Sequence, residues 1–337
     1  MSHKIPGALE LYRPALDSYM TELFQSKHHE LYEMMRHQLG WEKGSLSYPG
    51  KYIRPSLMLV SVEGCGGDVD KALPGAAAIE LLHNFSLIHD DIQDESFLRR
   101  GRPTVWNNWS KSQAINAGDG MYAVSRLTLL DLLDKGVAHD RVIAAARFLD
   151  ETCLALCEGQ YNDLLFETQL NVSLPQYDNM IKNKTASVFK CAFEMGAVIA
   201  EGAGSRSEAL GVLGLELGLA YQIIDDILDI WGDSETGKQI GIDLRRGKKS
   251  LPIVYGLNNA SSDQYSKLKS IYESSSENRD VNEIKKILDD MKAKEYCLME
   301  AKNHWNRAKT LLDEIEMPKN SMESILLSGQ YLLERMK

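Results

Sequence analysis

At 337 residues, with 44% hydrophobic and 26% charged side chains, the chain can bury a sizeable core and is not globally disordered. Its formal net charge of −10 argues against nucleic acid as a partner, so any phosphate site has to be a local cationic patch. Five scattered cysteines without a CxxC pair (Cys65, Cys153, Cys157, Cys191, Cys297) suggest neither a disulfide framework nor a zinc site, and fit a reducing cytoplasm.

The first residues, Met1-Ser-His-Lys-Ile-Pro, carry no basic-then-apolar leader pattern. Beyond them almost every long segment shows the 3.6-residue apolar period, while alternating β-type runs are hard to find, so an all-α fold is expected. Proline and glycine punctuate it. Helices are predicted after Pro55, from Leu73-Pro74 through Asp94, from Ser112 to Leu133 and from Arg141 to Glu167. Others follow from Gln176 to Ala200, Ser207 to Trp231 and Leu251 to Gly256, with more in the C-terminal third. Glu63 to Asp68 and Gly202 to Ser205 read as turns between helices. Asn258 to Asp263 and Ser274 to Asp280 are polar surface connections, too short for domain linkers. One domain over residues 1–337 is the economical reading. The longest apolar run, Gly211 to Ile224, is interrupted by Glu216 and is too short and too charged to span a bilayer.

Two of these helices end in the same pattern, DDxxD: Asp90-Asp91-Ile92-Gln93-Asp94 and Asp225-Asp226-Ile227-Leu228-Asp229. Side chains three and four positions apart share a helix face, so each cluster forms a carboxylate edge that repels itself unless cations occupy it. One or two carboxylates per ion, completed by water and phosphate oxygens, suit Mg²⁺. Leu81, Leu82, Phe85, Leu87 and Ile88 wrap the helix before the first cluster in apolar surface, as expected of a buried helix whose acidic end opens into a cavity.

Basic elements accompany both clusters. Arg99 and Arg100 stand where the first helix is expected to end before Gly101, and guanidinium forks suit phosphate oxygens. Lys51 and Arg54 sit at a helix start, where the macrodipole also favours anions, and Lys184-Thr185 is read in the same way before Ser187. After the second cluster comes a glycine- and lysine-rich tract, Gly237-Lys238 to Lys248-Lys249-Ser250, able to close over phosphate as an anion clamp. Two diphosphate sites are implied, one built through metal and one by direct cations.

The joint occurrence of GKxxRP from Gly50, HxxSLIHDDxxD from His83, RRGxPT from Arg99, GQxxDL from Gly159, KTA from Lys184, QxxDDxxD from Gln222 and GKxxGxDLxxGKxSLP from Gly237 resembles the polyprenyl synthetase family, the trans-isoprenyl diphosphate synthases. The resemblance runs from about Lys51 to Pro252. It implies a single helical bundle around a central cavity, the isoprenoid synthase fold, acting as a homodimer. By position it implies that Asp90, Asp91, Asp94, Asp225, Asp226 and Asp229 bind Mg²⁺, three ions per site, bridging an allylic diphosphate. Arg99, Lys184 and Lys238 would hold that diphosphate, with Lys248 in the same clamp. Lys51, Arg54, His83 and Arg100 would grip isopentenyl diphosphate. Thr185 and Gln222 match positions near the reacting carbons, and Gln160 and Asp163 match the opposite wall. His89 is read as a hydrogen-bond partner of Asp90. Tyr52 and Ser250 depart from the frequent arginine and threonine, which takes one supporting charge from the isopentenyl site.

Product length then depends on where the cavity is blocked. Phe85 lies five residues before Asp90, about 7.5 Å deeper along the helix, and Ser86 beside it is small. In the family one aromatic at the deeper position resembles synthases of the twenty-carbon product, geranylgeranyl diphosphate, with farnesyl diphosphate second. The rival readings are a class I terpene cyclase, against which Asp229 argues by being aspartate, and a non-catalytic subunit, against which both intact clusters argue.

Overall fold

The computed structural model describes residues 7–41, 50–232, 241–274 and 279–334. In chain order the helices are α1 (Gly7–Leu11), α2 (Arg13–Gln25), α3 (Glu30–Gln38), α4 (Ile53–Gly64) and α5 (Val69–Gln93). A two-residue antiparallel pair, β1 (Leu98–Arg99) and β2 (Arg102–Pro103), precedes α6 (Val105–Asn108), α7 (Lys111–Leu130), α8 (His139–Glu167) and α9 (Leu174–Ile181). A π-helical turn, Lys182–Ala186, leads into α10 (Ser187–Glu201) and α11 (Ser205–Trp231). The remainder is α12 (Ile242–Arg246), α13 (Leu251–Asn259), α14 (Ser262–Glu273), α15 (Val281–Asp290), α16 (Ala293–Glu314) and α17 (Lys319–Leu333). The fold is all-α, as expected.

Local chemistry accounts for many of the boundaries. Asp68 caps α5 by accepting from the amides of Asp70 and Lys71, and Ser110 caps α7 through Gln113. Ser173 with Gln176, and Ser261 with Gln264, form reciprocal capping boxes at α9 and α14. Two expected helix starts come earlier: α4 begins at Ile53, with Pro55 in its first turn, and α5 at Val69, with Pro74 inside it. The stretch from Gln176 to Ala200 is not one α-helix, because the π turn divides it.

The chain divides into two compact units. The first comprises Met1–Cys153, Val188–Gly214 and Thr310–Tyr331, and the second Leu154–Ser187, Leu215–Lys309 and Leu332–Lys337. In the first, α5 packs along α7 and α4. Leu57, Met58, Leu59, Val60 and Val62 of α4 are fully buried, so this helix is apolar on nearly every side. α10 approaches α4 through Gly196, where an added Cβ would fall 2.5 Å from the Met58 carbonyl oxygen. Ser61 donates to the Phe193 carbonyl across the same contact, at 2.7 Å.

In the second unit one apolar cluster joins Tyr177, Ile181, Ile223, Ile227, Leu251 and Val254, and another joins Ile230, Ile253, Leu268, Ile284 and Leu288. Taken whole, α11 is long and apolar enough, by length and composition alone, to cross a membrane. Most of its apolar window is buried within the fold, as a core helix requires.

Candidate active site

In the first unit the end of α5 carries Asp90, Asp91 and Asp94. The helix stops at Gln93, with Asp94 as its cap and Glu95 in the left-handed region. Arg99 and Arg100 therefore do not end a helix, contrary to expectation. They lie on the β1–β2 hairpin, whose central residues Arg100 (φ 53°) and Gly101 (φ 75°) supply the two positive φ angles of a tight hairpin turn. Thr104 and Trp106 both donate to the Ser96 carbonyl and close its base.

The hairpin folds Arg99 back onto the acidic edge. Its Nε lies 2.9 Å from each oxygen of Asp91, and its Nη2 lies 3.0 Å from Asp90 Oδ2. Asp91 is only 1% exposed, and burial pushes its carboxyl up to about 6 against the opposing pull of Arg99. Asp90 and Asp94, four apart on one helix face, are half-buried.

Tyr52, in the left-handed conformation (φ 46°), starts α4 and places Lys51 and Arg54 at the helix entrance, as expected. Arg54 Nη1 donates to His83 Nε2 at 3.2 Å, and since arginine cannot accept, His83 carries its proton on Nδ1. Burial, then Arg54, Arg100 and Arg99, hold this imidazole well below the usual histidine range, so it is neutral. The unit thus brings Arg54, His83, Arg99 and Arg100 together. Lys51 sets its ammonium 5.3 Å from the ring of Tyr331 on α17.

Phe85 is 8% exposed and packs its ring against Tyr122 of α7, with centroids 5.3 Å apart. Ser86 donates to the His83 carbonyl. His89, expected to partner Asp90, faces another helix. It turns to α7, 3.7 Å from Asp119, over Gly118, where an added Cβ would fall 2.2 Å from the imidazole nitrogen.

In the second unit the π turn presents Lys184 and Thr185. This is not the helix start expected from sequence, since α9 runs directly into it. The widened turn seats its backbone against α8 at Gly159, where a Cβ would lie 2.3 Å from Lys184 N. Lys184 Nζ lies 2.6 Å from Asp163, which also receives Lys248 at 2.7 Å, and Lys248 reaches Glu167 at 2.8 Å. Burial works to raise the Asp163 carboxyl, but the two ammonium groups outweigh it and hold the group below the ordinary carboxylate value. Lys248, expected to touch substrate, is 7% exposed and spends its charge on α8. Gln160, three residues before Asp163, has both amide ends buried without a hydrogen-bond partner among the described residues.

A chain of hydrogen bonds runs from the π turn to the second cluster. Thr185 Oγ1 donates to Gln222 Oε1 (2.6 Å), and Gln222 Nε2 donates to Asp226 Oδ1 (2.7 Å). Asp226 Oδ2 accepts from Tyr177 OH (2.7 Å) and from the Leu251 amide (2.8 Å). Burial pushes the Asp226 carboxyl up to about 7 against these donors. Tyr177, Glu167 and Tyr122 had no sequence signal, because ordinary apolar or acidic helix positions do not announce their partners. Lys238 lies outside the described residues.

The two clusters share a division of labour. In each, the second aspartate, Asp91 or Asp226, is buried and consumed by protein hydrogen bonds, while the first and last are half-buried. Among the described residues no group of three acidic, histidine or cysteine side chains forms a ready-made metal cage. Paired carboxylates at i and i+4 offer only two protein side chains per ion. That donor set fits Mg²⁺, which keeps waters and phosphate oxygens in its shell, better than an ion that demands an all-protein cage.

The polyprenyl synthetase family profile matches residues 42–291. The chain is 41% identical over 258 residues to the geranylgeranyl diphosphate synthase of Mycobacterium tuberculosis, covering 75% of this chain and 73% of that one. It is also 41% identical over 227 residues to a (2E,6E)-farnesyl diphosphate synthase of Mycobacterium bovis, covering 66% and 62%. The crystal structure of a polyprenyl synthetase from Streptomyces coelicolor superposes with a TM-score of 0.89 at 30% identity, covering 98% of this chain and 100% of that one. With the family profile spanning most of its length and both aspartate clusters in place, the chain belongs to the polyprenyl synthetase family of trans-isoprenyl diphosphate synthases and is a prenyltransferase.

Proposed function

We propose that the protein condenses isopentenyl diphosphate head-to-tail with an allylic diphosphate, in the presence of Mg²⁺, to give geranylgeranyl diphosphate. The observation that carries this reading is the pairing of Asp90 with Asp94, and of Asp225 with Asp229, on half-buried helix edges, with Arg99 on the first cluster and Lys184 in the same unit as the second. These four aspartates would hold the metal, three ions in all, with Asp91 and Asp226 orienting them. Bound Mg²⁺ supplies charge neutralisation of the departing diphosphate. Arg99, Lys184 and Lys238 bind the allylic diphosphate, and Lys51, Arg54, His83 and Arg100 bind that of the isopentenyl unit. Neutral His83 serves as a hydrogen-bond donor through Nδ1, not as a charge. The Thr185–Gln222 pair, fixed by Asp226, would offer its side-chain oxygens to developing positive charge.

Residues 1–337 are one polyprenyl synthetase domain in this reading, and a second copy of the chain covers exposed apolar side chains of α7 and the start of α8, among them Leu127, Leu130 and Ile143. A cytoplasmic setting suits its five cysteines, none of them in a disulfide among the described residues. Farnesyl diphosphate is the second product reading, because the farnesyl and geranylgeranyl relatives share the same 41% identity with the chain. Incubation with Mg²⁺, isopentenyl diphosphate and allylic primers of five, ten and fifteen carbons, followed by product mass analysis, tests the proposal. A twenty-carbon diphosphate is expected. Cyclised hydrocarbon made without isopentenyl diphosphate, or no product, overturns it.

A further inference from the structure

Lys249 occupies the variable position of the GKxSLP run, between Lys248 and Ser250, and is 1% exposed. Its Nζ donates to the carbonyls of Gly247 (2.8 Å) and Glu167 (3.2 Å) and lies 4.6 Å from the centre of the Tyr272 ring. Among the described residues both of these acceptors are carbonyls and no carboxylate lies within ion-pair distance, so Glu167 and Asp163 favour the charge only from farther off. Burial, then Arg279, pushes this ammonium down to about 8. A buried cation that bonds only to carbonyls is a poor device for stability, since an apolar chain of equal length fills the space at less cost.

The contacts explain what it does instead. Gly247, with φ 88°, makes a left-handed turn that ends α12. Arg279 secures that turn from behind, donating to the Arg245 carbonyl at 2.6 Å and to the Tyr272 carbonyl at 3.2 Å, with its guanidinium 5.4 Å from the same ring. Lys249 then ties the turn to the last residue of α8. Glu167 is thereby held twice, its carbonyl by Lys249 and its carboxylate by Lys248. One helical turn earlier, Asp163 shares its carboxylate between Lys248 and Lys184.

We infer that Lys249, backed by Tyr272 and Arg279, is a positioning residue that fixes Lys248 against α8 and so, through Asp163, sets the place of Lys184. The inference rests on the reading of Lys184 as a holder of the allylic diphosphate.

The test uses the full chain as Lys249→Met, with Lys249→Arg as the conservative variant and Tyr272→Leu as an independent one. The Tyr272 hydroxyl is buried without a hydrogen-bond partner among the described residues, so leucine there removes the ring and no such bond. Readouts are the thermal midpoint, KM for each substrate, and inhibition by inorganic diphosphate in Mg²⁺. Lys249→Met is expected to melt at or above the parent, while KM for the allylic diphosphate and the inhibition constant of diphosphate rise about tenfold. KM for isopentenyl diphosphate stays within about twofold, and Lys249→Arg recovers most of the loss. A lowered midpoint with unchanged allylic KM, or an equal rise in both KM values, overturns the inference. Should Lys249→Met not fold, Tyr272→Leu is judged by the same outcomes. Absence of any condensation by the parent protein sinks the proposed reaction instead, and diphosphate binding by the variants still decides the positioning role.

Discussion

Asp163 holds two ammonium groups on one carboxylate, and that sharing is what lets Lys184 and Lys248 lie close together. Asp163→Asn leaves both cations facing a neutral amide in a buried place. Breaking a buried pair from one side costs about 3–5 kcal/mol, to be read from denaturant unfolding, and the allylic KM should rise with it. The family resemblance marked Asp163 as part of a cavity wall but could not reveal its partners, which lie 21 and 85 positions away. Phe85 presents the opposite case, since its depth on α5 was legible from helix geometry alone. Phe85→Ala opens space against Tyr122 and should lengthen the product by one or more isoprene units in mass analysis; an unchanged product removes Phe85 from the ruler.

At the scale of elements, the 3.6-residue period located nearly every long helix, because burial of one face is written directly in the apolar spacing. Helices α2, α3 and α12 were not singled out, and two non-α elements escaped the period altogether. The β1–β2 hairpin is too short to show alternation, and only the Arg100-Gly101 pair hinted at its turn. The π turn at Lys182–Ala186 adds an extra residue to a helical repeat, and a local surplus of one leaves the apolar count almost unchanged. Its seat on Gly159 is testable. Gly159→Ala places a methyl against the Lys184 backbone, and overpacking of this kind costs about 1–3 kcal/mol, with a rise in allylic KM as the turn is displaced.

The α12–α13 connection carries a pH signature. Lys249 titrates in the folded chain at about 8, below the ordinary lysine value of about 10.4, so between these limits the unfolded chain binds more protons. Stability contributed by this site therefore rises as pH climbs through that window. The difference in thermal midpoint between the parent and Lys249→Met should narrow or reverse in the parent's favour toward pH 10.

For the whole molecule, the family and the all-α class were legible because seven short motifs recur at fixed order, whereas association was not, because an exposed leucine looks the same on a monomer and at an interface. Leu127→Lys should weaken self-association, seen as a smaller mass in light scattering, and leave helical content intact. An unchanged mass removes α7 from any contact between copies. The buried second aspartate of each cluster has a consequence at the same scale. Random mutagenesis scored separately for soluble yield and for turnover should split the six aspartates into two populations. Changes at Asp90, Asp94, Asp225 and Asp229 would give abundant, silent protein, since these side chains meet solvent. Changes at Asp91 and Asp226 would deplete the protein itself, because their hydrogen bonds tie the α5 end to its hairpin and α11 to Tyr177 and the start of α13. A motif written with one letter would then be under two kinds of selection, one on flux and one on survival of the folded chain.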